Sequence, residues 1–148
     1  MDIKTQLNES MKDALRSGDV LRKNTVRMVL AAIKQAEVDK QITLEDMAVI
    51  ALLQKEIKNR KEAIDEAKTA SRDDLVDENE AEIVVLEVFL PEALSANELR
   101  EIVTVAISEV SATSVTDMGA VMKVAQAKVA GRAPGGDVSA LVKELLNS

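Results

Sequence analysis

The chain has 148 residues and a formal net charge of −7, with one aromatic residue, Phe89, and no Trp, Tyr, His or Cys. Without His or Cys, the usual general base at neutral pH and the most reactive nucleophile are missing, which excludes Ser–His–acid and Cys–His catalysis, disulfides and thiolate zinc sites. The acidic balance also argues against broad, non-specific attraction to nucleic acid.

Helix-forming residue types dominate the composition. Ala, Leu, Lys and Glu are abundant, whereas Gly and Pro number only 5 and 2. Strands favour β-branched and aromatic residues, and aromatic residues are nearly absent here. The sequence therefore predicts an all-α protein.

Two helices are predicted in the first forty residues. Apolar residues recur every four positions at the start of the chain, as in the buried stripe of an amphipathic helix. The members of this stripe are Ile3, Leu7, Met11 and Leu15. Gly18 fits the C-terminal cap of this helix, and Asp19 is expected to cap a second helix that ends near Lys40.

A third and a fourth helix follow. The run Thr43-Leu44-Glu45-Asp46 has the hydroxyl and carboxylate spacing of a helix cap, with Thr43 at the N-cap. The helix that it opens is expected to end near Thr69, with segment 58–62 on the solvated surface. A fourth helix, predicted from Asp74 to Leu90, ends before Pro91, because proline disfavours a helical conformation in the residue before it.

A domain boundary is predicted at Pro91, which divides the chain into an N-terminal helical domain at 1–91 and a C-terminal three-helix bundle at 92–148. Cap residues mark the three shorter helices of the bundle. These are the capping box Ser95-Ala96-Asn97-Glu98, the cap Ser114-Val115-Thr116-Asp117, Gly131 after the second helix and Asp137 before the last.

Charge is segregated along the chain. Residues 12–34 contain six basic and two acidic side chains, while residues 73–87 contain seven acidic side chains and no basic one. Opposite charge on separate helices can dock a protein partner or a second copy. The oligomeric state stays open at this stage, with a monomer slightly favoured.

Neither a metal nor a nucleotide cofactor is expected. The acids Asp73, Asp74, Asp77 and Glu78 could ligate a divalent cation, but no glycine-containing calcium loop accompanies them. A charged first helical turn, which the helix dipole favours, is the preferred interpretation. The glycines near the C-terminus do not form a Walker loop, because no Gly-Lys-Ser/Thr is present.

The positive stretch near the C-terminus is the candidate binding region. Residues 112–136 contain Lys123, Lys128 and Arg132 against the single acid Asp117. Single-strand RNA readers generally stack bases on aromatic rings, so RNA binding here would have to use phosphates and shape. The alternative interpretation is an ordinary solvated helix end, where basic residues suit the dipole.

Several segments, in order along the whole chain, resemble the YqeY-like (GatB/YqeY) family. They are Val26-Arg27-Met28, Leu53-Gln54-Lys55-Glu56-Ile57, Arg60-Lys61, Arg72-Asp73-Asp74-Leu75, Phe89-Leu90-Pro91, Asp117-Met118-Gly119-Ala120-Val121-Met122-Lys123, Gly131-Arg132-Ala133 and Leu141-Val142-Lys143-Glu144-Leu145-Leu146. The resemblance implies an N-terminal helical region followed by a three-helix UBA-like bundle. It also implies a likeness of that bundle to the C-terminal tail of the B subunit of tRNA-dependent amidotransferase, which helps to hold tRNA.

The resemblance also implies which residues would contact RNA. The positions that correspond to the tail's loop and neighbouring helix are Gly119, Lys123, Lys128, Gly131, Arg132 and Ala133. The chain departs from the family pattern at Ala127, where proline is frequent, and at Pro134-Gly135-Gly136, where the family usually has Asp-Gly.

The function expected from these observations is a non-catalytic, cytoplasmic accessory module. Its partner would be tRNA, a tRNA-dependent amidotransferase or an aminoacyl-tRNA synthetase, with no DNA and no membrane. A protein-interaction module without RNA contact is the alternative. A carbon–nitrogen ligase activity with glutamine as amide donor ranks third, because that family-level label would be inherited from the amidotransferase.

Overall fold

The computed structural model describes residues 2–147 and confirms an all-α protein, with no strand in that range. Seven α-helices follow one another, with one short 3-10 helix before the sixth. They are α1 (Ile3–Ser17), α2 (Val20–Lys40), α3 (Asp46–Thr69), α4 (Asp73–Glu87), α5 (Ala96–Glu109), the 3-10 helix Val115–Asp117, α6 (Met118–Val129) and α7 (Gly135–Leu146). Among these residues, no helix is both long and apolar enough to span a bilayer.

The helices form two compact units, of which the first ends at Leu90 and the second begins at Pro91. In the first unit, α1 packs on α2, α3 packs on α4, and α2 also contacts α3 and α4. In the second unit, each of α5, α6 and α7 packs against the other two. The UBA-like arrangement of these three helices stays a prediction.

Several predicted helix caps are confirmed. Gly18 adopts a left-handed conformation with φ 73° after α1, where a side chain would be strained. The carboxylate of Asp19 accepts the backbone N–H of Arg22 at 3.1 Å and so caps α2. Ser95 and Glu98 form the capping box of α5, each side chain accepting the other residue's backbone N–H.

Two predicted caps are wrong. Glu45, and not Thr43, is the N-cap of α3, and its side chain makes no capping hydrogen bond. Asp46 instead accepts the backbone N–H of Ile3 at 3.1 Å, which ties the start of α1 to α3. Pro134, and not Asp137, is the N-cap of α7, because proline's fixed φ suits that position and the two following glycines are already helical.

The first core is built from aliphatic side chains of all four helices. Its most deeply buried members are Leu7, Val26, Val29, Val49, Leu53 and Leu86. Phe89 is also buried in this core, as expected for the single aromatic residue. Leu15, predicted on the buried stripe of α1, is 57% exposed, and Ala14 is buried in its place. A spacing of four residues drifts by about 40° per step around a helix, so Leu15 lies about 80° from Leu7, whereas Ala14 lies only about 20° from it.

A buried arginine joins three helices of the first unit. The segment 58–62 was expected to be solvated, but Arg60 of α3 is only 6% exposed. Its guanidinium donates to the carboxylates of Glu56 and Glu82, at 2.8 Å each, and lies 4.0 Å from the sulfur of Met28. Because a buried charge is costly without partners, these two acids are what allow Arg60 to lie inside the fold.

A second ion pair closes the α1–α2 hairpin. The Glu37 carboxylate of α2 accepts hydrogen bonds from the ammonium of Lys4 at 2.5 Å and from the backbone N–H of Leu44 at 2.7 Å. The hydrogen bond from Lys4, and next the one from Leu44, hold the pKa of Glu37 below its usual value. Ionisation of Glu37 therefore strengthens its links to α1 and to the loop before α3.

We expect Glu37→Gln to remove part of the acid dependence of stability. Because the pKa of Glu37 is lower in the folded state than in the unfolded state, its ionisation stabilises the fold. This contribution is complete above the unfolded glutamate pKa of about 4.3 and is lost as the pH falls through the folded-state pKa. The melting temperature of the wild type should thus exceed that of the variant at neutral pH, and the difference should shrink at about pH 3.5. Circular dichroism melts at both pH values measure it; a pH-independent difference would contradict the assignment.

The second core is smaller and is dominated by valine and alanine. Val103 of α5, Val121 and Val129 of α6, and Val138 and Val142 of α7 are each inaccessible to solvent. Valine and alanine have little volume, so the three helices can approach one another closely. This bundle positions the loop between α6 and α7.

Candidate nucleic-acid interface

The loop between α6 and α7 is fixed by the backbone. Ala130 and Gly131 both adopt left-handed conformations, with φ 51° and 79°, and end α6. The chain then turns inward, so that Ala133 is buried in the second core. Gly131 is therefore needed for the turn and Ala133 for packing, and the side chain of Ala133 offers no surface to a ligand.

Arg132 holds the loop to the start of the unit. Its Nε donates to the carbonyl oxygen of Glu92 at 2.9 Å, and its own carbonyl accepts the backbone N–H of Leu94 at 2.9 Å. The Glu98 carboxylate lies 3.9 Å from its Nη2. The guanidinium of Arg132 thus spends one donor, Nε, within the bundle and faces a carboxylate at longer range, so a phosphate would share it with these groups.

Lys128 is also engaged. Its ammonium lies 2.9 Å from the carboxylate of Glu109 at the end of α5, and both side chains are partly exposed. An exposed ion pair of this kind is worth little and exchanges easily. Lys128 is available to a ligand only at the expense of this contact.

Lys123 is the free cation among the predicted residues. It is exposed on α6 and makes no ion pair within residues 2–147. With about 100° per residue, Lys123 and Lys128 project roughly 140° apart around α6, so the two lysines do not share one face. Gly119, one turn before Lys123, is exposed, and a methyl group added there would meet nothing within 4 Å.

Asp117 orients the entry to α6. Its carboxylate accepts the backbone N–H groups of Thr113 at 2.9 Å and Ser114 at 3.3 Å. These two backbone hydrogen bonds, led by Thr113, keep the pKa of Asp117 below its usual value. Its charge is therefore turned toward the backbone before α6, as the predicted cap requires, although a 3-10 turn precedes the α-helix.

The surroundings of these residues in the described chain are open and contain no metal-binding group. No group of three His, Cys, Asp or Glu side chains in the described range could hold a metal ion. The acids Asp73, Asp74, Asp77 and Glu78 are exposed in the first turns of α4. An open groove of about 440 Å³ between α5 and α7 is lined by Arg100, Asp137 and Glu144, and this mixture of charges does not favour an anion.

The sequence did not reveal the acidic partners. Glu109 and Glu98 neutralise Lys128 and Arg132 from a different helix, and the carbonyl of Glu92 lies 40 residues from Arg132. No local pattern signals contacts over such separations. Arg100 and Lys143, both exposed and without an ion pair in the described part of the bundle, were also missed because they lie outside the positive stretch.

Comparison with known proteins places these features in context. The family model described as "Yqey-like protein" matches residues 4–146. The protein named "Altered inheritance of mitochondria protein 41, mitochondrial" is 35% identical in Lachancea thermotolerans and 32% identical in Pyrenophora tritici-repentis, over 66% and 69% of this chain. The alignments cover 53% and 58% of those relatives, so the chain spans little more than half of their length.

A third relative is an uncharacterised protein of Schizosaccharomyces pombe, 37% identical over 63% of this chain and 72% of its own length. The mitochondrial names of the other two overturn the expected cytoplasmic location. That expectation was the default for a chain without features that direct it elsewhere, and a default of this kind does not specify a compartment.

Proposed function

The chain belongs to the YqeY-like family, and from that premise we propose that it is a non-catalytic accessory protein whose C-terminal helices bind tRNA or an enzyme that handles tRNA. The proposal concerns the region shared with the relatives, since they are longer than the matched segment. Amide transfer, if it occurs in the same complex, would be performed by a partner.

The outer face of α6 is the observation that supports tRNA binding best. Between Met118 and Val129 this helix contains two lysines and no carboxylate, in a protein with an excess of acids. Lys123 is exposed between Gly119 and Ala127, one turn away on either side. Small neighbours allow a sugar–phosphate backbone to approach the ammonium closely, and no adjacent acid on the helix repels it.

The remaining predicted residues would contribute less. Lys128 and Arg132 each begin in contact with an acid or a carbonyl of the bundle, and replacing that contact with a phosphate gives a smaller net gain than engaging a free cation. Gly131 and Ala133 would act by shaping the loop. Recognition would depend on phosphate positions and shape, because the single aromatic side chain, Phe89, is buried in the first unit.

We expect Lys123→Glu to weaken tRNA binding more than Lys128→Glu, since only Lys123 is unpaired. Loss of one phosphate contact should lower the log–log salt slope by about 1. Fluorescence anisotropy with labelled deacylated tRNA, titrated at several salt concentrations, measures both quantities. A mitochondrial tRNA pool is the first ligand to test, given the names of the relatives.

The matched control is Lys58→Glu, which makes the same charge change at an exposed, unpaired lysine of α3 in the first unit. Its effect should be smaller than that of Lys123→Glu. Equal loss in the two variants would mean that only net charge matters. Absence of binding at micromolar protein would reject tRNA as a direct ligand and leave the tRNA-handling enzyme as the partner to test.

A further inference from the structure

Helix α2 carries a basic edge that no acid in the described chain neutralises, with Arg27 and Lys34 exposed and Lys23 half-buried. Lys23, Arg27 and Lys34 are spaced by four and seven residues, so they follow one edge of the helix. None of the three makes an ion pair in the described chain, although acids are in excess. This set is termed the basic stripe. Beside it, Val38 of the same helix, four residues after Lys34, is 64% exposed.

Helix α4 carries the opposite pattern. Asp73, Asp77, Glu80 and Glu87 recur on its solvent face and make no ion pair with residues 2–147. This set is termed the acidic stripe. Between its members lies Val84, which is 64% exposed, and just after the helix lies Val88, which is 73% exposed.

The two stripes match each other in charge, apolar content and spacing. Arg27 and Lys34 are seven residues apart, as are Glu80 and Glu87, which corresponds to about 10.5 Å along either helix. From these matches we propose that the α2 and α4 faces dock a second copy of this chain, with the basic stripe of one copy against the acidic stripe of the other. Phosphate binding alone would not require the exposed apolar residues, so the features favour a protein surface over RNA.

A twofold axis would use both stripes of each copy. Helices α2 and α4 are neighbours in the fold. When α2 of one copy faces α4 of the other across a twofold axis, the second α4 necessarily faces the first α2, so the contact occurs twice. Apolar contacts around Val38 and Val84 would supply the association energy, and the charges would set partner choice and orientation. This dimer is independent of the proposed tRNA binding.

Charge reversal and complementation test the proposal on the full chain. Sedimentation equilibrium of the nuclease-treated protein should give twice the chain mass of 16.0 kDa at micromolar concentration in about 0.05 M salt, with weakening in about 0.5 M salt. Arg27→Glu/Lys34→Glu and, separately, Glu80→Lys/Glu87→Lys should each raise the dissociation constant by more than about 100-fold. Mixing the two variants should restore a heterodimer to within about tenfold of the wild type.

The matched control is Lys55→Glu/Lys58→Glu, which makes the same charge change on exposed, unpaired lysines of α3 and should leave the dimer intact. Val84→Ser, which alters no charge, should weaken the dimer by about tenfold. Circular dichroism serves to check that each variant retains its helices.

Three results would overturn the proposal. The wild type could remain at 16.0 kDa under all conditions, the reversed variants could fail to pair when mixed, or the dimer could disappear once nucleic acid is removed. The last result, together with loss of RNA binding in Arg27→Glu/Lys34→Glu, would make the basic stripe an RNA contact.

Discussion

Arg60→Ala should destabilise the first unit by about 3 kcal/mol. The substitution removes the cation shared by Glu56 and Glu82 and leaves two carboxylates beside each other without their partner. Breaking a buried ion pair by removing one member typically costs about 3–5 kcal/mol, and the partial exposure of both carboxylates places this case at the lower end. Urea unfolding followed by circular dichroism measures the change, since the chain has no Trp or Tyr for fluorescence.

Other substitutions at this cluster distinguish the loss of the positive charge from the loss of the hydrogen-bond geometry. Arg60→Lys keeps the charge but loses the planar fork that donates to both acids, so we expect an intermediate loss. Arg60→Met combined with Glu56→Gln and Glu82→Gln removes all three charges, and should recover much of the stability lost in Arg60→Ala. Arg72, exposed and paired with Asp74 two residues away, is the surface control, and its substitution by Ala should leave the midpoint unchanged. If Arg60→Ala shifted the urea midpoint as little as Arg72→Ala does, Arg60 would not be the residue that stabilises this cluster.

The burial of Arg60 shows why the sequence could predict helices better than their packing. The segment 58–62 contains only polar and charged residues, which is typical of a solvated face. Glu56 is one turn away and could be anticipated, but Glu82 lies 22 residues further along the chain on α4. Whether a charged residue is buried depends on such distant partners, and a single sequence does not show them.

Helix ends were predictable where one residue dictates the backbone. Gly18 and Asp19 follow from the left-handed conformation and from side-chain capping, both of which are local. The predicted cap of α3 was wrong because the carboxylate of Asp46 accepts a hydrogen bond from the backbone N–H of Ile3, in another helix. Tertiary contacts thus overrode a local signal at that position.

The candidate RNA site was likewise predictable only in part. Its residues were identified from local charge and from the family resemblance, and the structure does place Lys123 on an open helical face. The engagement of Lys128 by Glu109 and of Arg132 by Glu92 and Glu98 depends on how α5 lies against α6. Sequence could therefore nominate the basic residues, whereas only packing distinguishes the free cation from the paired ones.

The leucines of α1 allow this distinction to be measured with one chemical change. Leu7 and Leu15 share a helix and a predicted apolar stripe, but Leu7 is inaccessible to solvent and Leu15 is 57% exposed. Leu7→Ala should cost about 3 kcal/mol, from lost transfer energy and from the cavity left between α1 and its neighbours. Leu15→Ala should change stability by less than about 0.5 kcal/mol, because its side chain is already largely hydrated.

The comparison isolates burial, since both substitutions make the same small change in helix propensity. Urea midpoints and slopes from circular dichroism give the two free energies, and the slope should stay constant if the unit unfolds in the same way in both variants. Comparable losses at the two positions would show that Leu15 is covered in solution. Because Leu15 belongs to the first unit, which also contains the basic and acidic stripes, a loss that appears only at high protein concentration would indicate that the second copy covers it.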